Sequence, residues 1–429
     1  MIEVVTDMQR RRERLDAIHA RSVSADAELT AVVARIVEDV RARGDAALVD
    51  YAARFDAVRL RPSELRVEER ALRESAARVD ARVLEAVRAS INNVRAFHER
   101  ELVESWEFET ARGVRLGQRV TPVEAAGLYV PGGTASYPSS VVMNVVPAQV
   151  AGVARVAVVT PPRTLSETPA VAATLLELGV TEVYQVGGAH AVAALAYGTE
   201  TIPRVDVITG PGNKFVAAAK RLVYGAVGID SVAGPSEVVV LADETARADF
   251  IAADLLAQAE HGEDASAVLV TTDLNLAETV AAEVARQAET LPRRSVVTRS
   301  LADFGAVFVV NNIEEACEIV NELAPEHLEI MTRAPEAWAA RVRHAGAIFY
   351  GEYTPEAVGD YFAGPNHVLP TGGASRFSSA LGVHNFQRRT SIIRYTREEL
   401  RETAPLIAAL AEAEGLDAHA RSALIRLKD

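Results

Sequence analysis

The sequence holds a single cysteine, Cys317, in 429 residues. One thiol excludes an internal disulfide framework and every zinc site built from several cysteines. No uninterrupted apolar stretch approaches the roughly 18–20 residues that a membrane-spanning helix needs. The start, MIEVVTDMQRRRERLDA, has acids among its first ten residues and no apolar core, so no secretory leader is expected. An excess of positive charge is missing too: 45 lysines and arginines face 59 aspartates and glutamates, a net charge of −14. Such a chain is a poor match for nucleic acid or an anionic membrane. What is present is a globular composition, 49% hydrophobic and 24% charged. At roughly 150 residues per domain the length corresponds to about three domains. A cytoplasmic enzyme of several domains is the expectation.

Arg10, Arg11 and Arg12 read as a solvated helix face. Residues 25–53 and 63–104 carry helical spacing; in the second stretch Leu72, Val79, Val83, Val87, Ile91 and Val94 predict one long amphipathic helix. From about residue 120 the texture changes. Short apolar runs end in Gly/Pro turns, as in AAGLYVPGG, RVAVVTPP, TEVYQVGG and VDVITGPG, and Ala-rich helical segments over 166–178, 190–197 and 213–224 follow them. After GIDSVAGPSE a second series of strand and helix runs on through SEVVVLAD, AVLVTT, AVFVVNN, HLEIMT and AIFYGE. Repeated strand, turn and helix predict parallel sheets with crossover helices. The fold class expected is α/β: two Rossmann-like parallel-sheet domains with small N-terminal and C-terminal helical segments. Residues 352–392 read as an irregular loop-rich stretch, and 397–429 as helix broken at Gly415.

Three glycine pairs follow consecutive predicted strands: Gly132–Gly133, Gly187–Gly188 and Gly210–Gly212. GPGNKF carries two of the three glycines of a dinucleotide fingerprint, and alone it fits an ordinary strand-to-helix turn equally well. Side by side at strand ends, three such turns point to a ligand edge. Gln258 and His261, three apart near a helix end, can share a face, and Gly262 would end that helix. Glu326 and His327, after Pro325, can serve as base and acid, since histidine titrates near neutral pH. Asp360 and His367 lie in a Gly/Pro-rich loop, where function concentrates; Glu414 and His419 flank Gly415. Taken singly, each of these also reads as a solvated or satisfied polar residue. With no cysteine cluster, any zinc site must use histidine, carboxylate and amide ligands, a donor set typical of working sites. Cys317 sits mid-helix in EEACEIVNEL and reads as a buried apolar residue. An aldehyde oxidation here would therefore use water, not a thiol.

The strings GLYVPGGTASYPSSVVMNVVPAQVAGV, GPGNKFVAAAKR, AGPSEV, DLLAQAEHG, LAPEHLEI, GDYFAGPNHVLPTGG, RFSSALGVHNF and EGLDAHARS together resemble the histidinol dehydrogenase family, in its order and spacing, from about residue 25 to the end. The resemblance implies oxidation of L-histidinol through L-histidinal to L-histidine with two NAD+, the last step of histidine biosynthesis. It implies one Zn2+ per subunit, held by positions matching Gln258, His261, Asp360 and His419, that orients the substrate. It assigns catalysis to Glu326 and His327: His327 takes the alcohol proton and Glu326 activates water. Substrate contacts carry over to Ser236, His367 and Glu414, alongside the zinc set and His327, and NAD contacts to Tyr129 and Asn213. The family commonly has glutamine as a cofactor contact where this chain has His190, which can also donate a hydrogen bond and is expected as a third NAD contact. The resemblance further implies a homodimer with shared active sites, the C-terminal helices crossing to the partner.

The boundaries expected are an N-terminal helical segment 1–24, a discontinuous first Rossmann-like domain 25–125 with 237–375, a second over 126–236, and a C-terminal helical segment 376–429 swapped to the partner. The main competing reading is a paralogous zinc- and NAD-dependent dehydrogenase oxidising another primary alcohol to an acid. A zinc hydrolase and a non-catalytic scaffold are the others; the glycine turns argue against the first, the intact acid, base and ligand positions against the second.

Overall fold

In a computed structural model, residues 2–21, 27–132 and 137–428 are described. By its internal contacts the chain falls into two units, Met1–Glu101 with Glu124–Phe386, and Leu102–Val123 with Gln387–Asp429.

The first unit contains two parallel sheets. One runs, in spatial order, Val183–Tyr184, Arg155–Val159, Ala125–Tyr129, Val207–Thr209, Gly228–Ile229. The other runs Val4–Val5, Ala306–Val309, Ser266–Thr271, Glu237–Ala242, His327–Met331, Ala347–Tyr350. Leaving aside Val4–Val5, each has the chain order 3-2-1-4-5, which is the Rossmann-like order. Two parallel sheets with crossover helices are what the alternating runs predict.

The strand sequences explain the layering. EVVVLA and SAVLVT are buried at every position, as expected when helices cover both faces of a parallel sheet. Successive side chains alternate. Val238, Val240 and Ala242 enter one apolar cluster with Ile251, Leu255 and Val280. Val239 and Leu241 enter the opposite one with Cys317, Val320 and Leu15. Cys317 is a core residue, as read. Side-chain caps start the crossover helices: Asp273 accepts from Leu276 N–H at 2.6 Å and Asn312 from Glu315 N–H at 2.8 Å.

Several boundaries differ from expectation. Residues 1–24 are not a separate segment: Val4–Val5 pairs with Ala306–Val309, and Leu15 and Ile18 join the core. Arg11 is buried against Glu315 and the Val309 carbonyl, while Arg10 and Arg12 make exposed ion pairs as a solvated face should. The helices Ala27–Arg43 and Asp45–Phe55 pack on the five-stranded sheet through Val33, Val37, Val40 and Leu48, not on the sheet formed after residue 237. The long helix over 63–104 is two, Glu69–Ala76 and Ala81–His98, because Asp80 caps the second start. The C-terminal segment is not wholly helical. Gln387–Arg394 is a strand, antiparallel to Arg115–Pro122, which also pairs with Trp106–Glu109. Strand pairing therefore joins 102–123 to 387–428, and 376–386 stays with the first unit. Helices Arg397–Ala413 and Asp417–Leu424 do break at Gly415.

One buried ion pair ties two loops of the first unit together. Lys220 Nζ meets Asp230 and donates to the Gly210 carbonyl at 3.0 Å, while Gly210 N–H donates to Asp230 Oδ2 at 2.8 Å. Both side chains are almost fully buried. Gly210 itself has φ +111°, and a Cβ there would lie 2.2 Å from the Tyr129 carbonyl oxygen, so only glycine fits. Lys220→Met leaves Asp230 as an unpaired buried charge and should cost about 3–5 kcal/mol. Adding Asp230→Asn should recover much of it; urea melting of the single and double variants checks both.

Candidate active site

The site begins with strand register. Glu237–Ala242 and His327–Met331 are neighbours at the point where the six-stranded order reverses, with His327 opposite Val238. That alignment puts the backbone of Glu237 against the Glu326–His327 pair. Glu326 Oε2 accepts from Glu237 N–H at 2.9 Å, and His327 Nδ1 lies 3.0 Å from the Glu237 carbonyl. Both side chains are buried. Ser236 immediately precedes the strand. The pair stands at the amino edge of its sheet, whereas Tyr129 and the Gly132, Gly187 and Gly210–Gly212 turns stand at the carboxyl edge of the other.

A cavity of about 380 Å³ is lined from both. From the five-stranded sheet come Tyr129, Gly132, Gly212 and Asn213, and from the other Ser236, His261, Glu326, His327, Asp360 and His367. That volume suits a small-molecule site. No lysine or arginine is among its lining residues.

The three histidines share one arrangement. His261, His327 and His367 each direct Nδ1 at a backbone carbonyl, of Ala257 at 3.1 Å, Glu237 at 3.0 Å and Asp360 at 3.0 Å. A carbonyl only accepts, so Nδ1–H donates and Nε2 is left for other work. His327 Nε2 is buried without a hydrogen-bond partner, 3.7 Å from Asp360 Oδ1.

Burial and charge then set the protonation states. Burial pushes the Glu326 carboxyl up to about 8, against the pull of His327 and the Glu237 N–H. Burial lowers His327, but the carboxylates of Glu356, Glu326 and Asp360 outweigh it and hold the imidazole well above its ordinary range. Asp360 is lowered: burial raises it, and His327, His367 and His261 more than offset that. His367 is lowered by burial, with Asp360 opposing.

Ligand atoms of His261, Glu356 and Asp360 all lie within 4.8 Å of one another. Carboxylate and imidazole donors converging where no lysine or arginine lines the wall fit a divalent cation. Gln258 is fully buried next to them; with its amide oriented to satisfy both ends, it donates to both Glu356 oxygens at 3.0 and 2.9 Å. Glu356 is the residue that sequence reading missed. Its signal was the i, i+4 spacing to Asp360, invisible while 352–392 was read as loop; the helix Glu356–Tyr361 supplies the shared face.

The remaining expected residues are placed as follows. Tyr129 is buried, its hydroxyl accepting from Gly188 N–H at 2.9 Å. Asn213 lines the cavity and caps its helix through Phe215 N–H at 3.0 Å. His190 does not line the cavity; it packs on Tyr51 and Phe55, and burial pushes it down to about 3, so it is a neutral imidazole. Gly133 lies outside the described residues. Glu414 and His419 are exposed in the second unit.

The model of the histidinol dehydrogenase family matches residues 19–427. The chain belongs to that family. It is similar to histidinol dehydrogenases of Geobacillus kaustophilus, 56% identical over 94% of this chain and 95% of that one, and of Bacillus subtilis, 54% identical over 94% of each. It is also similar to the crystal structure of histidinol dehydrogenase from Elizabethkingia anophelis, with TM-score 0.92 and 34% identity over 99% of this chain and 98% of that one. As a member of the histidinol dehydrogenase family, the chain is an NAD-dependent oxidoreductase of histidine biosynthesis. No helix among the described residues is long and apolar enough to cross a membrane.

A group of carboxyls stands behind the site. Asp254 is pushed up to about 6 by burial, with Glu329 as its hydrogen-bond partner. A folded value raised from 3.8 means that the folded state binds more protons between pH 4 and 6, so stability falls as pH rises through that window. Asp254→Asn removes the penalty. It should stabilise the protein by about 3 kcal/mol above pH 6, and the gain should shrink toward pH 4; urea melts across this range measure it.

Proposed function

We propose that this chain oxidises L-histidinol to L-histidine through L-histidinal, with two NAD+ and one zinc ion per subunit. The balance is alcohol, water and two NAD+ giving carboxylate, two NADH and three protons. The observation that carries this reading is the buried Glu326–His327 pair at the cavity, with the only cysteine in the core. An alcohol-to-acid oxidation needs a base for two hydride transfers and a base for one water. No thiol is available to hold the aldehyde.

The surrounding carboxylates favour a protonated His327; once that proton is lost, Nε2, left open by the Nδ1 bond to Glu237, takes the alcohol proton as hydride leaves for NAD+. Glu326, as carboxylate, takes a proton from the water that adds to the aldehyde. His327 returns its first proton to the oxyanion that this addition leaves, and then takes a proton of the resulting hydrate during the second hydride transfer. The glycine turns and Asn213 on the facing wall are where we place NAD+; there the backbone can approach a pyrophosphate and the helix starting at Lys214 offers its N-terminus. His190 enters this reading only as packing beside that edge.

Gln258, His261, Asp360 and His419 would hold the zinc, which supplies a Lewis acid that orients the imidazole and amine of the substrate. Ser236, His367 and Glu414 would contact substrate, the acid facing its ammonium. Glu414 and His419 are exposed, as residues offered to a partner subunit in a homodimer must be. A cytoplasmic location follows from the biosynthetic role.

With limiting L-histidinol and excess NAD+, two NADH should form per substrate, falling to none after chelation and returning with zinc. No NADH from folded, zinc-loaded protein would overturn the substrate and favour another primary alcohol. Because Glu326 titrates near 8, conversion of L-histidinal to acid should rise with pH up to about that value. Glu326→Gln should abolish this limb and slow acid formation by about 10²–10⁴-fold, while sparing oxidation of histidinol to aldehyde; equal loss of both steps would refute the division of labour.

A further inference from the structure

Three elements meet at the proposed metal site, and each carries a backing carboxyl beside a site residue. On the helix Ala248–Ala259, Asp254 lies one turn before Gln258. On the strand His327–Met331, Glu329 shares a face with His327. On the helix Glu356–Tyr361, Glu356 lies one turn before Asp360. All three backing groups are buried, and the charged groups that act on them are one another, Asp360 and the site histidines. No lysine or arginine is among those groups.

Glu356 is its central member. Its own N–H donates to Glu329 Oε1 at 2.7 Å, which pins the start of its helix. Its two carboxylate oxygens receive the Gln258 amide at 3.0 and 2.9 Å. An amide has one donor end and one acceptor end. With the nitrogen committed to Glu356, the oxygen of Gln258 points to the opposite side, where it faces only donors. A carboxylate cannot donate, so it accepts only one of the two amide orientations. A neutral side chain of the same shape would accept either.

We propose that Glu356 is a positioning residue: it fixes which end of the Gln258 amide faces the metal and thereby sets metal affinity. The inference rests on the zinc reading above. Neighbours that orient metal ligands typically govern affinity by about 10–100-fold. Although its carboxylate lies within 4.8 Å of ligand atoms of His261 and Asp360, Glu356 works in this role through Gln258, which distinguishes it from a direct ligand and from a residue that only supports the fold.

The test is a double-mutant cycle read as zinc affinity, by competition with a chromophoric chelator on the full-length protein. Glu356→Gln should weaken zinc by about 10–100-fold. In a Gln258→Ala background the same change should move affinity less than about threefold, because no amide remains to be oriented. The combined Gln258→Glu and Glu356→Gln variant restores one donor and one carboxylate in swapped places, and should bind zinc at least about tenfold more tightly than Glu356→Gln alone. It also keeps the test open if Glu356→Gln alone does not fold. Equal losses in both backgrounds, or no recovery in the swap, would overturn the positioning role. Unchanged zinc affinity in Gln258→Ala would instead remove Gln258 from the ligand set and overturn the reading on which the proposal rests.

Discussion

One residue's backbone holds the chemistry of this site together. The N–H of Glu237 binds Glu326 and its carbonyl binds His327. The N–H and the carbonyl of Glu237 are both held by the hydrogen-bonded strand, so both catalytic candidates are fixed by the register between Glu237–Ala242 and His327–Met331. A slip of one residue would send them to opposite faces. The strand is fixed in turn by the five consecutive side chains Val238–Ala242, shared between two cores. The side chain of Glu237 adds a buried ion pair with Arg21 at 2.8 Å, which brings the N-terminal helix into the same constraint. Core packing, register and site geometry are thus one set of interactions.

The electrostatics follow from this rigidity. Carboxyls gathered in a buried place, with histidines as their cations, cannot all ionise, and burial raises Glu326, Glu356, Asp254 and Glu329 together. That costs stability and creates function. A carboxyl raised to about 8 has the basicity that the proposed activation of water would use near neutral pH. The three histidines, each tied by Nδ1 to a backbone carbonyl, present Nε2 without the entropy of a free ring. Binding a cation at such a site relieves repulsion already present in the folded chain.

The two sheets contribute unequally. Both have the 3-2-1-4-5 order, yet one supplies its carboxyl edge and the other its amino edge. Ligand binding at the carboxyl edge of an open α/β sheet is the general rule, and the glycine turns obey it. The Glu326–His327 pair does not, and a reading based on that rule alone would have searched the wrong end of the second sheet.

Much of this was legible in the residues. Alternating apolar runs and Gly/Pro turns dictated two parallel sheets, because a strand covered on both faces must be apolar throughout. The motif strings identified the family, and Glu326, His327, His261 and Asp360, singled out with it, line one cavity. The mid-helix position of the single Cys317 argued against a thiol mechanism, and the fold buries it in a core. Other features needed the fold. Val4–Val5 is too short for any periodicity, and its place beside Ala306–Val309 is a pairing across 300 residues. Residues 102–123 carry no signal of their partner, since antiparallel pairing to 387–394 is decided by register, not composition. Glu356 was hidden inside a stretch whose glycines and prolines read as loop. His190, a donor on paper, is packed under Tyr51 and Phe55. Sequence determines local preference and the identity of the chemical groups; which groups share a wall, which stand behind it and which proton each keeps depend on burial and distance, and those exist only once the chain has folded.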